Sequence, residues 1–135
     1  MPYGFDVLKR EASKEGFSLI DRLVNEWHNH VNQFNKEGEL LLAAYLDGDL
    51  AAIGDLSKDP YIAGALRMRR FYTRENFRGI GIGAKIAEIL IVNARRAKPT
   101  IIIVNAVTVI APVFWEAQGF SPRAESGHMH VLEFY

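Results

Sequence analysis

Phe71-Tyr72-Thr73-Arg74-Glu75-Asn76-Phe77-Arg78-Gly79-Ile80-Gly81-Ile82-Gly83-Ala84 is the stretch whose reading decides the fold. With residues 66–70 ahead of it, its start has the composition of a β-strand. Its end opens a long apolar segment, residues 82–97, that has the composition of a helix. Gly79, Gly81 and Gly83 fall at the join. A helix that starts in this way exposes backbone N–H groups with no acceptor inside the helix. With the positive end of the helix dipole behind them, these donors suit a phosphate or pyrophosphate. Glycine lets a ligand approach the backbone with no Cβ in the way. A tight turn without a ligand is the competing reading. The spacing is neither that of the Rossmann fingerprint nor, without a following Gly-Lys-Ser/Thr, that of a Walker phosphate loop.

Length and composition set the frame. A chain of 135 residues is expected to form one domain, 1–135, with one real core. Apolar residues at 49% and charged residues at 24% match an ordinary globular protein. Sixteen basic and sixteen acidic side chains cancel, so no global charge draws the chain to nucleic acid or a membrane. The absence of cysteine removes disulfides, thiolate zinc sites and a cysteine nucleophile. No signal peptide or membrane span is legible, which fits a cytoplasmic enzyme or binding domain.

Residues 1–16 are mixed, with Phe5, Val7 and Leu8 as candidate strand residues. Over residues 17–34, Leu19, Ile20, Leu23, Val24, Trp27, Val31 and Phe34 recur every three or four positions, which predicts an amphipathic helix. His28 and His30 point in different directions on such a helix and make a poor metal pair, so no metal site is expected. Leu40–Leu46 and residues 49–56 flank Asp47-Gly48, a strong hairpin signal. Residues 57–64 then form a loop with Asp59-Pro60-Tyr61 as its turn, and Ala65–Thr73 returns as a strand. Arg67, Arg69 and Arg70 are the densest basic cluster, read either as an exposed strand face or as phosphate-facing.

The helix over 82–97 ends in Arg95, Arg96 and Lys98 and is stopped by Pro99. Residues 100–104 are a β-branched run suited to a doubly buried strand, parallel to the strand that ends at the glycines. A short helix over 111–118 starts around Pro112 and closes at Gly119. Residues 120–127 are turn-like, and 128–135 form a last strand with Met129, Val131 and Phe134 as core candidates. Its tail, 129–135, could serve as the edge strand of a homodimer.

Arg78-Gly79-Ile80-Gly81-Ile82-Gly83 resembles the Arg/Gln-x-x-Gly-x-Gly/Ala signature of the GNAT acyltransferases, with Phe77 at the family's aromatic position. Phe114-Trp115-Glu116-Ala117-Gln118-Gly119-Phe120 resembles their Phe-Tyr-x-x-x-Gly-Phe, with Trp115 in the tyrosine place. The order of elements is similar from about Phe17 to the end. The resemblance implies an α/β (α+β) fold: a mixed, mostly antiparallel twisted sheet whose central parallel strand pair splays around a coenzyme A cleft, with helices on both faces. It implies transfer of an acetyl group from acetyl-CoA to a primary amine of a small molecule or peptide. Phe71, Tyr72 and Thr73 would line pantetheine. Arg78, Gly79, Ile80, Gly81, Ile82, Gly83 and Ala84 would cradle the pyrophosphate. Ala106–Thr108 would lie past the splay, and Phe114 and Trp115 near the thiol.

The tryptophan is a departure with chemical consequence. The family tyrosine often protonates the leaving thiolate, and an indole N–H cannot act as an acid near neutral pH. Tyr72 and Tyr61 are the substitutes by position, or the thiolate leaves unaided, since a thiol pKa is only ~8.5. Glu75, Asp59 and His128 are the candidate bases, with a water relay as the alternative. Trp27, Asp59, Tyr61 and His128 are the candidate acceptor contacts. A non-catalytic acyl-CoA sensor and a nucleotide-binding regulatory domain are the rival functions on the same glycine turn.

Overall fold

The computed structural model describes residues 2–99, 101–105, 112–122 and 129–133. Its elements are α1 (Phe5–Lys14), α2 (Leu19–His28), β1 (Leu40–Leu46), β2 (Asp49–Lys58), β3 (Ala65–Thr73), a 3-10 turn (Glu75–Phe77), α3 (Ile82–Arg96), β4 (Ile101–Asn105), α4 (Pro112–Ala117), β5 (Ser121–Pro122) and β6 (Met129–Glu133). Six strands form one sheet in the order β1-β2-β3-β4-β6-β5. Only β3 and β4 run parallel; the other neighbours are antiparallel. This is the expected mixed α/β sheet.

The hairpin follows its sequence signal. Asp47 and Gly48 take φ of 51° and 84°, the two positive values a tight primed turn needs to match the twist of β1 and β2. β2 runs on to Lys58, so the following loop is shorter than 57–64. β4 follows α3 by a crossover, as the β-branched run predicts, although Thr100 lies outside the described residues.

Two expectations are corrected at the N-terminal side. Phe5 and Leu8 belong to a helix, α1, because Phe5, Leu8 and Ala12 at helical spacing are its buried residues while Val7 faces out. The next helix ends at His28 and does not reach Phe34. His30 takes φ 59° and Val31 N–H donates to the Glu26 carbonyl at 2.9 Å, a left-handed closure of the helix end. The chain then doubles back, and Phe34 stacks on Trp27 with ring centroids 6.4 Å apart. A third correction concerns β6. It lies between β4 and β5, so Val131 and His130 are paired on both sides and this part is no free edge for a partner copy.

The sheet separates two cores. One holds Leu66, Met68, Phe71, Ile86, Leu90, Ile102, Val104, Trp115 and Phe120, beneath α3 and α4. The other packs Phe5, Leu8, Ile20 and Leu23 of α1 and α2 on Leu50, Ile53 and Tyr72. Val131 joins a smaller cluster with Ala65 and Ile103. Among the described residues no helix is long and apolar enough to cross a membrane.

Candidate active site

Two features of β3 shape the site. The described pairing of β3 with β4 runs from Ala65↔Ile101 to Met68↔Val104, and the residues that follow Asn105 lie outside the described residues. Just past Met68 β3 carries a bulge. Asp55 pairs with Arg69 and Ile53 with Tyr72, leaving Arg70 and Phe71 opposite Gly54 alone, with Arg70 at φ 56°. Gly54 is required here. A Cβ on it would stand 2.8 Å from Ile86 Cγ2 and 2.9 Å from the Phe71 ring.

At the end of β3 the chain turns through the glycines into α3. Gly81 caps this helix at φ 83°, no side chain caps it, and its first turn has no acidic residue. The first bond of the helix is Lys85 N–H to the Gly81 carbonyl at 3.0 Å, so the amides of Ile82, Gly83 and Ala84 have no partner in the helix. A Cβ on Gly79 or Gly81 would meet nothing within 4 Å, and both residues hold φ near 83°. Backbone donors therefore face open space, with the positive end of the dipole behind them. Pyrophosphate fits this site: it needs several donors, positive potential and unobstructed backbone, and the turn supplies all three.

A cleft of about 600 Å³ lies over this turn, lined by Phe17, Thr73, Phe77, Arg78, Gly79, Gly81, Ile82, Gly83, Ala84 and Phe114. Eight of these come from residues 71–84, and seven of the eight, Thr73, Arg78, Gly79, Gly81, Ile82, Gly83 and Ala84, are expected cofactor contacts, as is Phe114 of the C-terminal motif. Phe71 and Tyr72 are buried in the cores on opposite sides of the sheet and do not line it. Ile80 is exposed beside it. Phe17 and Phe77 were not among the predicted contacts. Phe17 was legible only as the start of a helical apolar pattern, and Phe77 as an aromatic next to the signature.

Arg78 is held before any ligand arrives. Its Nε donates to the Thr73 carbonyl at 2.8 Å, a terminal nitrogen lies 2.6 Å from Glu15 Oε1, and its guanidinium covers the Tyr72 ring at 5.6 Å. The hydrogen bond from Arg78, and after it one from the Tyr72 hydroxyl, holds the Glu15 carboxyl below its ordinary range. Arg74 pairs both its Nε and a terminal nitrogen with Glu11 at 2.9 and 3.0 Å and stacks over Phe77 at 5.2 Å. Helix α1 is thus tied to the glycine turn by two acidic residues.

Tyr72 is poorly placed as an acid. Its hydroxyl donates to Glu15, and burial, reinforced by that bond, pushes its pKa well above the ordinary tyrosine range. Trp115 is 2% exposed and is ringed edge-on by Phe71, Phe114 and Phe120 at 4.9, 5.0 and 5.5 Å. Glu75 stands exposed in the 3-10 turn. Tyr61 is 90% exposed and Trp27 packs on Phe34, while Asp59 accepts the N–H groups of Tyr61 and Ile62 at 2.9 and 2.7 Å. The structure therefore does not gather the predicted acceptor contacts into one place. His128 and Ala106–Thr108 lie outside the described residues.

Two of the three arginines, Arg69 and Arg70, are turned to internal ion pairs, while Arg67 lines a separate cleft. Arg69 and Arg70 both bind Glu26 of α2, the first at 3.0 Å, and Arg70 reaches Asp55 at 3.4 Å. Asp55 is 0% exposed, and burial raises its carboxyl to about 7 despite Arg70, Arg69 and Arg67 pulling it down. Its Oδ1 has no hydrogen-bond partner, which agrees with burial prevailing. The network fastens α2 to the bulge.

The family model for the GNAT acetyltransferase domain matches residues 8–134. A structure from Exiguobacterium sp. 255-15, named as a candidate acetyltransferase, superposes with a TM-score of 0.86 over 97% of this chain and 85% of its own, at 23% identity. The PaiA N-acetyltransferase from Thermoplasma acidophilum, solved with coenzyme A, gives 0.65 over 85% of this chain and 71% of its own, at 18% identity. A GNAT-family acetyltransferase from Staphylococcus aureus Mu50 gives 0.72 over 96% and 89%, at 10% identity. A search of curated proteins finds no significant relative. With the family match spanning nearly its whole length and the sheet order and glycine turn in place, the chain belongs to the GNAT acetyltransferase family.

Proposed function

We propose that the chain is an N-acetyltransferase that moves an acetyl group from acetyl-CoA to a primary amine by direct attack. The observation that carries this is the uncapped start of α3, whose three partnerless amides face a cleft wide enough for a ligand. When bound, acetyl-CoA supplies the acetyl thioester. The amides of Ile82, Gly83 and Ala84 hold the pyrophosphate, and Arg78 adds charge. Thr73 and Phe114 flank the pantetheine side. Past Met68, where the described pairing of β3 with β4 ends, the pantetheine arm would add along β3 as an extended ligand. A backbone N–H at the Arg70–Phe71 bulge is assigned to the thioester oxygen, where it would stabilise the developing oxyanion.

The chain contributes position more than proton transfer. An alkyl amine has a pKa of ~10.4 and must lose a proton before or during attack. With the Tyr72 hydroxyl given to Glu15 and Trp115 unable to act as an acid, the thiolate leaves without a phenol. Holding amine and thioester together then supplies the rate.

Acetyl-CoA at a hundred times its Kd should stabilise the native chain by about 2.7 kcal/mol. Arg78→Glu and Gly81→Asp should each abolish the rise in melting temperature. An unchanged wild-type melting curve at millimolar acetyl-CoA contradicts the cofactor assignment. Thiol release across an amine panel tests the reaction itself. Binding with no release on any amine would favour the sensor reading, which is supported by Trp115 standing in the tyrosine place and by the Tyr72 hydroxyl being given to Glu15.

A further inference from the structure

A second cleft, of about 450 Å³, opens on the α2 face of the sheet, with Glu26, Lys36, Ser57, Lys58, Asp59 and Arg67 in its wall. Its carboxylates are already engaged. Glu26 holds Arg69 and Arg70, Glu39 accepts the backbone N–H groups of Lys36 and Lys58 at 3.3 and 2.9 Å, and Asp59 accepts those of Tyr61 and Ile62. Its cations are not. Among the described residues the side chains of Arg67, Lys36 and Lys58 make no hydrogen bond and no ion pair, and the Arg67 Nε is buried without a partner. Directly across the strand pair from Arg67, Ser57 is 1% exposed and its hydroxyl has no partner either. A buried donor left unmade costs free energy that a ligand can restore.

We propose that this cleft receives a carboxylate carried by the acceptor, an inference that rests on the acetyl-transfer reading for the acceptor's other end. A carboxylate matches the planar fork of an arginine with two parallel bonds. The Ser57 hydroxyl supplies a further donor beside it, and Lys36 and Lys58 make the rim positive. Arg67 precedes the bulge at Arg70 by three residues on the same strand, so the carboxylate would lie roughly 10 Å from the point of attack at a strand rise of ~3.3 Å per residue. The acceptor class is therefore a primary amine with a carboxylate at that distance, as in a short peptide or a long ω-amino acid, and not an α-amino acid.

The test uses the full chain with saturating acetyl-CoA and ω-amino acids of increasing length, from glycine to a chain spanning roughly 10 Å, each against its carboxamide. The long carboxylates should have a KM lower than their carboxamides by roughly tenfold to a hundredfold. Arg67→Met should erase that preference and Ser57→Ala should reduce it. Neither variant should lower the melting temperature much, because among the described residues neither side chain has a hydrogen bond or ion pair to lose. Ligand-detected NMR of the N-acetylated long ω-amino acids, with CoA present, gives a readout independent of turnover. Carboxylate binding that is lost in Arg67→Met supports the site even if no thiol is released, an outcome that would remove only the enzyme reading. No carboxylate binding, or a preference unchanged in Arg67→Met, overturns the proposal while acetyl transfer can still stand.

Discussion

Gly54 shows how one missing side chain fixes the geometry of the site. It stands alone opposite the two bulged residues of β3, with Ile86 of α3 and the Phe71 ring pressed against its Cα hydrogens. Gly54→Ala forces a contact that α3 or Phe71 must relieve, and overpacking of this kind costs about 1–3 kcal/mol. Urea unfolding should show that loss together with weaker acetyl-CoA binding; an unchanged stability would mean that the bulge is not held from this side. Trp115 is the other decisive residue. Ringed by Phe71, Phe114 and Phe120, it is a core side chain beneath the cleft. Trp115→Tyr should therefore lower the melting temperature and leave kcat unchanged or reduced. A rise in kcat would show that a phenol at this position reaches the thiolate. The sequence displayed the tryptophan and its chemical deficit, yet Gly54 lay inside the strand read over 49–56 with no turn signal, and nothing local marked its close approach to another element.

At the scale of elements, legibility followed the strength of local signals. The hairpin at Asp47-Gly48, β3 and α3 have both periodicity and punctuation, and their limits agree with the structure to within a residue or two. The first helix lacked both. Its buried anchors are Phe5, Leu8 and Ala12 among charged residues, and its cap is a left-handed Gly4 with no side-chain cap bond. The arginines of β3 misled for another reason. The counter-ions of Arg69 and Arg70, Glu26 and Asp55, come from a distant helix and a neighbouring strand, so charge density in sequence could not show that these two are internal. Asp55 makes this packing sensitive to pH. Burial lifts its carboxyl from the ordinary 3.8 to about 7, so the folded chain keeps a proton that the unfolded chain releases. Its contribution is greatest below about pH 4 and is lost as pH rises through about 7. Asp55→Asn should remove that slope. The stability difference between variant and wild type should thus move in the variant's favour between pH 5 and 8. A constant difference across that range would place the Asp55 proton elsewhere.

For the whole molecule, the sheet sets the chemistry by where β3 bulges. The described pairing of β3 with β4 runs through Met68↔Val104, and the bulge of β3 follows directly. α1 and α2 cover one side of the sheet here, and the start of α3, with no side-chain cap, follows the end of β3. The order of strand, glycine turn, helix and strand made this legible, because a crossover between parallel strands has one favoured hand. The cleft proposed for the acceptor was legible only in part: Asp59, a candidate acceptor contact, lines it, but Glu26, Ser57 and Arg67 meet there only in the fold. Everything proposed for the reaction depends on the start of α3 being a pyrophosphate cradle. The most direct test is a titration of the full chain with acetyl-CoA, following backbone amide resonances by NMR. The amides of Gly79 to Ala84 should shift together and saturate at one equivalent, with the Gly81→Asp variant showing no such response. Saturable binding that leaves these amides unmoved, or no saturation at all, would contradict it.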